Sequence, residues 1–161
     1  MQVTKEFSTA DFARMLGFVV AVNAVGASPA FLFGADTGWL DDSAWYFPPD
    51  VVFPIAWTLL FTLMGVSLFL VYRAGTARRE VRVALAAFAV QMALNVLWTP
   101  VFFGLQRPGA GLIVVVALWF AVLATVFLFD RVDRTASILL LPYLAWLSFA
   151  VFLNYAVYAG L

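Results

Sequence analysis

The sequence predicts an all-α integral membrane protein, a bundle of five transmembrane helices. Three observations predict it. Of the 161 residues, 65% are hydrophobic and only 11% are charged, with a mean hydropathy of +1.01; soluble domains carry about 25% charged residues. A chain this short has too little interior to hide so much apolar surface from water. Five stretches reach the roughly 20 apolar residues that a helix needs to cross a hydrocarbon core of about 30 Å. The pattern of alternating ten-residue segments expected of a membrane β-barrel is missing. Nine basic and nine acidic residues cancel, so no net charge draws the chain to polyanions and no nucleic-acid partner is expected.

The spans follow in order as residues 12–33, 51–72, 81–105, 111–129 and 136–159, in a single domain that fills residues 1–161. None holds an Asp, Glu, Lys or Arg in its middle; Arg14 and Arg82 lie in the first turns of the first and third spans. Met1 to Glu6 are not followed by a short apolar region and a small-residue cleavage site, so the first span is expected to stay. Pro48 and Pro49 fix the chain ahead of the second span, and Pro54 belongs to its first turns or kinks it. Gln106 to Gly109 make a tight turn before the fourth span, because Pro108 cannot continue the preceding helix. A charged turn, Asp130 to Thr135, leads into the last span. Lys5, Arg14, Arg73, Arg78, Arg79, Arg82, Arg131 and Arg134 fall on one side of the bundle and only Arg107 on the other. Basic residues stay in the cytoplasm. The N-terminus is therefore expected inside, and the C-terminus and the first loop, with Asp36, Asp41, Asp42 and Asp50, outside.

The chain has no cysteine and no histidine. It has no thiolate, no disulfide, no usual general base at neutral pH and no His or Cys ligand for haem iron. No metal site and no catalytic residue is expected.

Tryptophan and tyrosine gather at headgroup depth, which accounts for Trp39, Tyr72, Tyr155 and Tyr158. Trp98, Trp119 and Trp146 fall inside their spans, where an indole N–H wants a partner. They are expected to face other helices or a cavity. Asn23, Gln91, Asn95 and Asn154 place amides at membrane depth, where they turn into the bundle; helix-to-helix bonding explains Asn23 and Asn154. Gln91, Asn95, Trp98 and Phe102 are spaced i, i+4, i+7 and i+11, one stripe at 3.6 residues per turn. Such a stripe either packs the bundle or offers amides and aromatic faces to a flat ligand. Phe53, Trp57 and Phe61 share a face of the second span. Trp146, Ala150 and Leu153 share one of the fifth. Trp45 and Tyr46 precede the prolines, where they could fold over the bundle mouth. Gly104 and the alanines at 84, 86, 87, 89 and 93 give the third span a smooth surface for close contact, within the monomer or with a second copy.

Three segments resemble the TspO/MBR family of translocator and tryptophan-rich sensory proteins: Trp45-Tyr-Phe-Pro-Pro-Asp-Val-Val-Phe-Pro-Ile-Ala-Trp57-Thr, Gln91-Met-Ala-Leu-Asn95-Val-Leu-Trp98-Thr-Pro-Val-Phe-Phe-Gly104, and Pro142-Tyr-Leu-Ala-Trp146-Leu-Ser-Phe-Ala-Val-Phe-Leu-Asn154-Tyr. The sequence departs from the family pattern after the prolines, where Asp50 and Val51 replace a basic residue and a tryptophan. The resemblance implies a five-helix bundle, commonly a homodimer in contact with membrane lipid. It implies a pocket for porphyrin, protoporphyrin or haem, or another hydrophobic small molecule, with no obligatory cofactor. Its wall would be Trp45, Tyr46, Phe53, Trp57, Phe61, Asn95, Trp98, Trp146, Phe149, Ala150 and Leu153. A sensory or transport-regulating role follows, rather than an enzyme's. Light-dependent porphyrin breakdown and carriage of hydrophobic ligands stand as the alternatives.

Overall fold

A computed structural model describes residues 6–41 and 43–161; Lys5 and Asp42, counted above in the charge balance of the two sides, lie outside the described residues. These residues form helices and no strand: α1 (Thr9–Phe33), α2 (Val52–Arg73), α3 (Arg79–Thr99), α4 (Pro108–Asp130), α5 (Arg134–Leu139) and α6 (Leu141–Ala159). Taken with the short helical extensions at two of them, five spans are long and apolar enough to cross a membrane.

Each boundary has a local cause. Ser8 caps α1 reciprocally. Its hydroxyl accepts from Asp11 N at 3.1 Å and the Asp11 carboxylate accepts from Ser8 N at 3.1 Å, so the helix begins at Thr9, before residue 12. Pro29 inside α1 cannot donate to the Val25 carbonyl one turn back. The Ser28 hydroxyl donates to that carbonyl instead, at 2.7 Å. Pro54 sits in the first turn of α2, where a missing N–H costs nothing.

Two departures from regular helix were not anticipated. The third span ends in a π-helical turn, Pro100–Gly104, closed by Leu105 N donating to Pro100 O at 2.8 Å. Proline has no N–H for the ordinary ladder, and the wider turn re-pairs the chain around it. Gln106 then takes a positive φ of 50°, and Pro108 opens α4. The stretch expected as one helix over residues 136–159 is broken at Leu140. Pro142 cannot donate to the Ile138 carbonyl and crowds it. Asp133 caps the short first piece by accepting from Ala136 N at 2.8 Å.

The helices pack as α1 on α2, α3 on α4 and α4 on α6, with α5 against the Arg73 end of α2. Only Val22 and Pro29 of α1 are buried, so α1 is a rim helix. Asn23 fastens it, donating to Val19 O at 3.0 Å and to Thr62 Oγ1 at 3.3 Å. At the end where α1 begins and α2 stops, Arg73 pairs with Asp11 at 3.4 Å and donates to Glu6 O at 3.1 Å. Ala84 is buried within the monomer, while Ala86, Ala89, Ala93 and Gly104 are exposed. Tyr72, Tyr155 and Tyr158 are exposed near helix ends, as interfacial residues should be.

Candidate functional site

Where α2 and α6 run beside each other they touch at few points. The gap is a cleft of about 440 Å³ at mid-span, lined by Ala56, Leu59, Leu60, Pro142, Ala145, Trp146 and Phe149. On each helix these residues recur at i+3 and i+4, so each wall is one helical face. Every lining side chain is apolar apart from the indole N–H of Trp146.

Behind Trp146 lies a continuous aromatic cluster. Trp57 is its hub: stacked on Phe61 at 5.3 Å, edge-on to Tyr143 at 6.1 Å and to Trp146 at 6.3 Å, and tilted against Trp98 at 6.3 Å. Phe53 meets Trp146 at 6.2 Å and Phe149 meets it at 5.5 Å. Trp98 stacks on Phe102 at 5.5 Å, and Trp39 of the first loop lies over Phe102 at 5.4 Å. Trp39 is therefore folded onto the bundle end rather than standing at headgroup level, and its indole N–H is buried with no partner.

Both amides of the α3 stripe bond to Tyr143 inside the bundle. Asn95 Nδ2 donates to the Tyr143 hydroxyl at 2.7 Å, and that hydroxyl donates to Gln91 Oε1 at 3.3 Å. Trp98 Nε1 donates to Asn154 Oδ1 at 3.2 Å, and Asn154 Nδ2 to Ala150 O at 2.8 Å. Trp119 Nε1 donates to Ser148 Oγ at 2.9 Å. Asn95 and Trp98, expected to face a ligand directly, thus form a polar spine behind Trp57. Ala150 and Leu153 are buried beside that spine.

The loop residues divide. Trp45 is 90% exposed, and its ring meets Tyr46 rather than the cleft. The Tyr46 hydroxyl donates to Leu161 O at 2.8 Å and its ring packs on Phe152, so Tyr46 ties the loop to the chain end beyond α6. Phe47 reaches Phe53 at 5.9 Å. Of the expected wall, Phe53, Trp57, Phe61, Trp146 and Phe149 come together around or beside the cleft. Ala56, Leu59, Leu60, Pro142 and Ala145 were missed, as was Tyr143 behind them. Their only signal is spacing on an apolar face, which a lipid-facing stripe shares.

Among the described residues no group of three His, Cys, Asp or Glu side chains could hold a metal ion. What the arrangement offers is aromatic area for a flat apolar molecule, with two indole N–H groups, of Trp57 and Trp146, that no protein acceptor pairs among the described residues.

Comparison with known proteins identifies the family. A TspO/MBR family model matches residues 18–159. The "Tryptophan-rich protein TspO" of Chlorobaculum tepidum is 40% identical over 142 residues, covering 83% of this chain and 90% of that protein. The "Tryptophan-rich sensory protein" of Cereibacter sphaeroides is 39% identical, covering 90% of this chain and 89% of its own length. The human "Translocator protein" is 35% identical, covering 80% and 78%. With the five apolar spans, these matches make the chain a multi-pass membrane protein that belongs to the TspO/MBR family.

Proposed function

We propose that the protein binds a flat hydrophobic ligand of the porphyrin or tetrapyrrole class between α2 and α6, in a sensory or transport-regulating role. One contrast supports the reading. Trp98 and Trp119 have their indole N–H groups paired by Asn154 and Ser148, whereas Trp146, which walls the cleft, and Trp57, whose ring packs against it, have theirs free. An unpaired donor at hydrocarbon depth is costly, and an acceptor on the edge of a ligand pairs it. The cleft of about 440 Å³ falls in the range of about 300–1,000 Å³ found for small-molecule sites. Its faces are those of Trp146 and Phe149, which supply stacking and apolar burial. With no His or Cys in the chain, a porphyrin would be held by its ring rather than through iron ligated by those residues. The wall carries no charged side chain, so ligand carboxylates would extend beyond it. The relatives' names, sensory protein and translocator protein, point the same way. In this reading the N-terminus is cytoplasmic and the first loop faces outward, by the balance of basic residues.

The test is titration of protoporphyrin into purified protein, followed by tryptophan quenching. Saturable quenching is expected, weakened about tenfold or more in a Trp57→Ala, Trp146→Ala double variant through lost ring contacts and burial. Equal affinity in the two proteins refutes the site. Illuminating the complex tests the enzymatic alternative, which requires a new product that forms only with protein present.

A further inference from the structure

Gln91 carries a donor that neither the fold nor the cleft uses. Its residue is 1% exposed, its Oε1 accepts from the Tyr143 hydroxyl at 3.3 Å, and its Nε2 is buried with no partner. The Nδ2 groups of the other amides in the spans are paired: Asn23 to Val19 O and Thr62, Asn95 to Tyr143, Asn154 to Ala150 O. A buried N–H left unpaired forfeits its hydration with nothing in return, and at this depth no bulk water reaches it. If Gln91 served packing alone, an apolar side chain of the same shape would avoid the penalty.

Trp57 connects the neighbourhood of this donor to the cleft. Its ring packs edge-on against Tyr143, which bonds Gln91, and edge-on against Trp146, which walls the cleft. Trp57 is only half-buried, and no hydrogen bond among the described residues holds its indole N–H.

We propose that the Gln91 amide N–H is a latent second anchor of the site, taking a carbonyl-class acceptor on the edge of a flat ligand once the Trp57 ring turns aside. The inference rests on the ligand-binding reading above and adds a chemical requirement to it. The ligand is a polycycle bearing an acceptor, not a plain hydrocarbon. Asn95 Nδ2 already gives one of its two N–H groups to Tyr143, so the side-chain amide left with no partner is that of Gln91.

The test compares two probes, pyrene and 1-acetylpyrene, bound to the full chain in detergent micelles and followed by energy transfer from tryptophan. The ratio of their affinities is read in wild type and in Gln91→Met, which keeps the side chain's length and removes the donor. The expected result is a fall of about three- to tenfold in the acetylpyrene-to-pyrene ratio, the worth of one net hydrogen bond. A second measurement needs no variant: the infrared carbonyl stretch of acetylpyrene bound to wild type should sit at the lower, hydrogen-bonded frequency. In Gln91→Met it should return to the free position. A free carbonyl in wild type overturns the proposal. So does a bonded carbonyl that survives in Gln91→Met, since the donor is then an indole or a water. If neither probe binds wild type, the site reading itself fails and this inference falls with it.

Discussion

Gly65 lies at a close crossing of α1 and α2, and replacing it with alanine tests the packing directly. A Cβ at Gly65 would stand 2.5 Å from Val19 Cα and 2.9 Å from Val19 N. Non-bonded carbons sit best at about 3.5–4.0 Å, so the helices must part locally by about 1.0–1.5 Å. The obstacle is main chain, which cannot rotate away. One turn along the same crossing, Asn23 Nδ2 reaches Thr62 Oγ1 at 3.3 Å, a bond with no slack to absorb that separation. Overpacking costs about 1–3 kcal/mol and an interhelical bond in a bilayer about 0.6 kcal/mol. Those two grounds sum to about 1.6–3.6 kcal/mol, and the gain of about 1 kcal/mol in helix propensity leaves Gly65→Ala destabilised by about 0.6–2.6 kcal/mol. The assay is reversible unfolding in mixed micelles by dodecyl sulfate, followed by far-ultraviolet circular dichroism. Gly17→Ala is the control: its Cβ meets nothing within 4 Å, and alanine is the better helix former, so it should be neutral or stabilising. A Gly65→Ala protein within about 0.5 kcal/mol of wild type, the usual range of substitutions that disturb nothing, would refute the close-crossing argument, as would an equal loss in Gly17→Ala.

Three other outcomes are expected. Asn154→Leu strands the buried Trp98 N–H and should cost about 1–2 kcal/mol in the same unfolding assay, less than the gross bond because the unfolded chain in a micelle finds other partners. Tyr46→Phe frees the first loop from Leu161 O; hydrogen exchange at residues 36–48 should quicken about two- to tenfold, as removal of one net bond allows, while exchange in α4 stays slow. Because the chain has no cysteine, single cysteines placed at Ser43 and at Ala77 report topology cleanly: an impermeant maleimide should label the first from outside intact cells and the second only after lysis, and the reverse pattern overturns the inferred orientation.

Much of the fold was legible because it is a matter of length and polarity. Each span is a run of some twenty apolar residues bounded by Pro, Gly or charge, and a bilayer leaves helix as the only use for such runs. The two prolines at the centre of the misses, Pro100 and Pro142, were visible, but their consequences were not. A proline can sit in a first turn, kink, widen into a π turn or split a helix, and which occurs depends on the neighbours that re-pair its freed carbonyl. In the site, the stripe of Gln91, Asn95, Trp98 and Phe102 was readable from spacing, and all four residues are buried. That Asn95 answers Tyr143, and that Trp98 answers Asn154, is a fact of long-range pairing that no local period encodes. Trp45 was unreadable for a different reason. Its place depends on how a loop with no regular structure folds back, and here it is Trp39, not Trp45, that lands on the bundle.

A single buried fastening governs how α2 and α6 can respond to an occupant. Ser67 Oγ donates to Ala136 O at 2.7 Å, tying α2 to the short helix that leads into α6. Toward the first loop the two helices share ring contacts such as Phe53 with Trp146, and no hydrogen bond joins α2 to α6 among the described residues. The pair is built like tongs with the pivot at Ser67. Spreading the tips breaks dispersion contacts of about 0.1–0.2 kcal/mol per atom pair and strains the exposed Tyr46 bond to Leu161 O, whereas shifting the pivot strands a hydroxyl in hydrocarbon. For the ligand proposed above, jaw angle would follow the bulk of what is gripped while the far end stays shut, so discrimination among guests would be graded by thickness instead of set by one rigid outline.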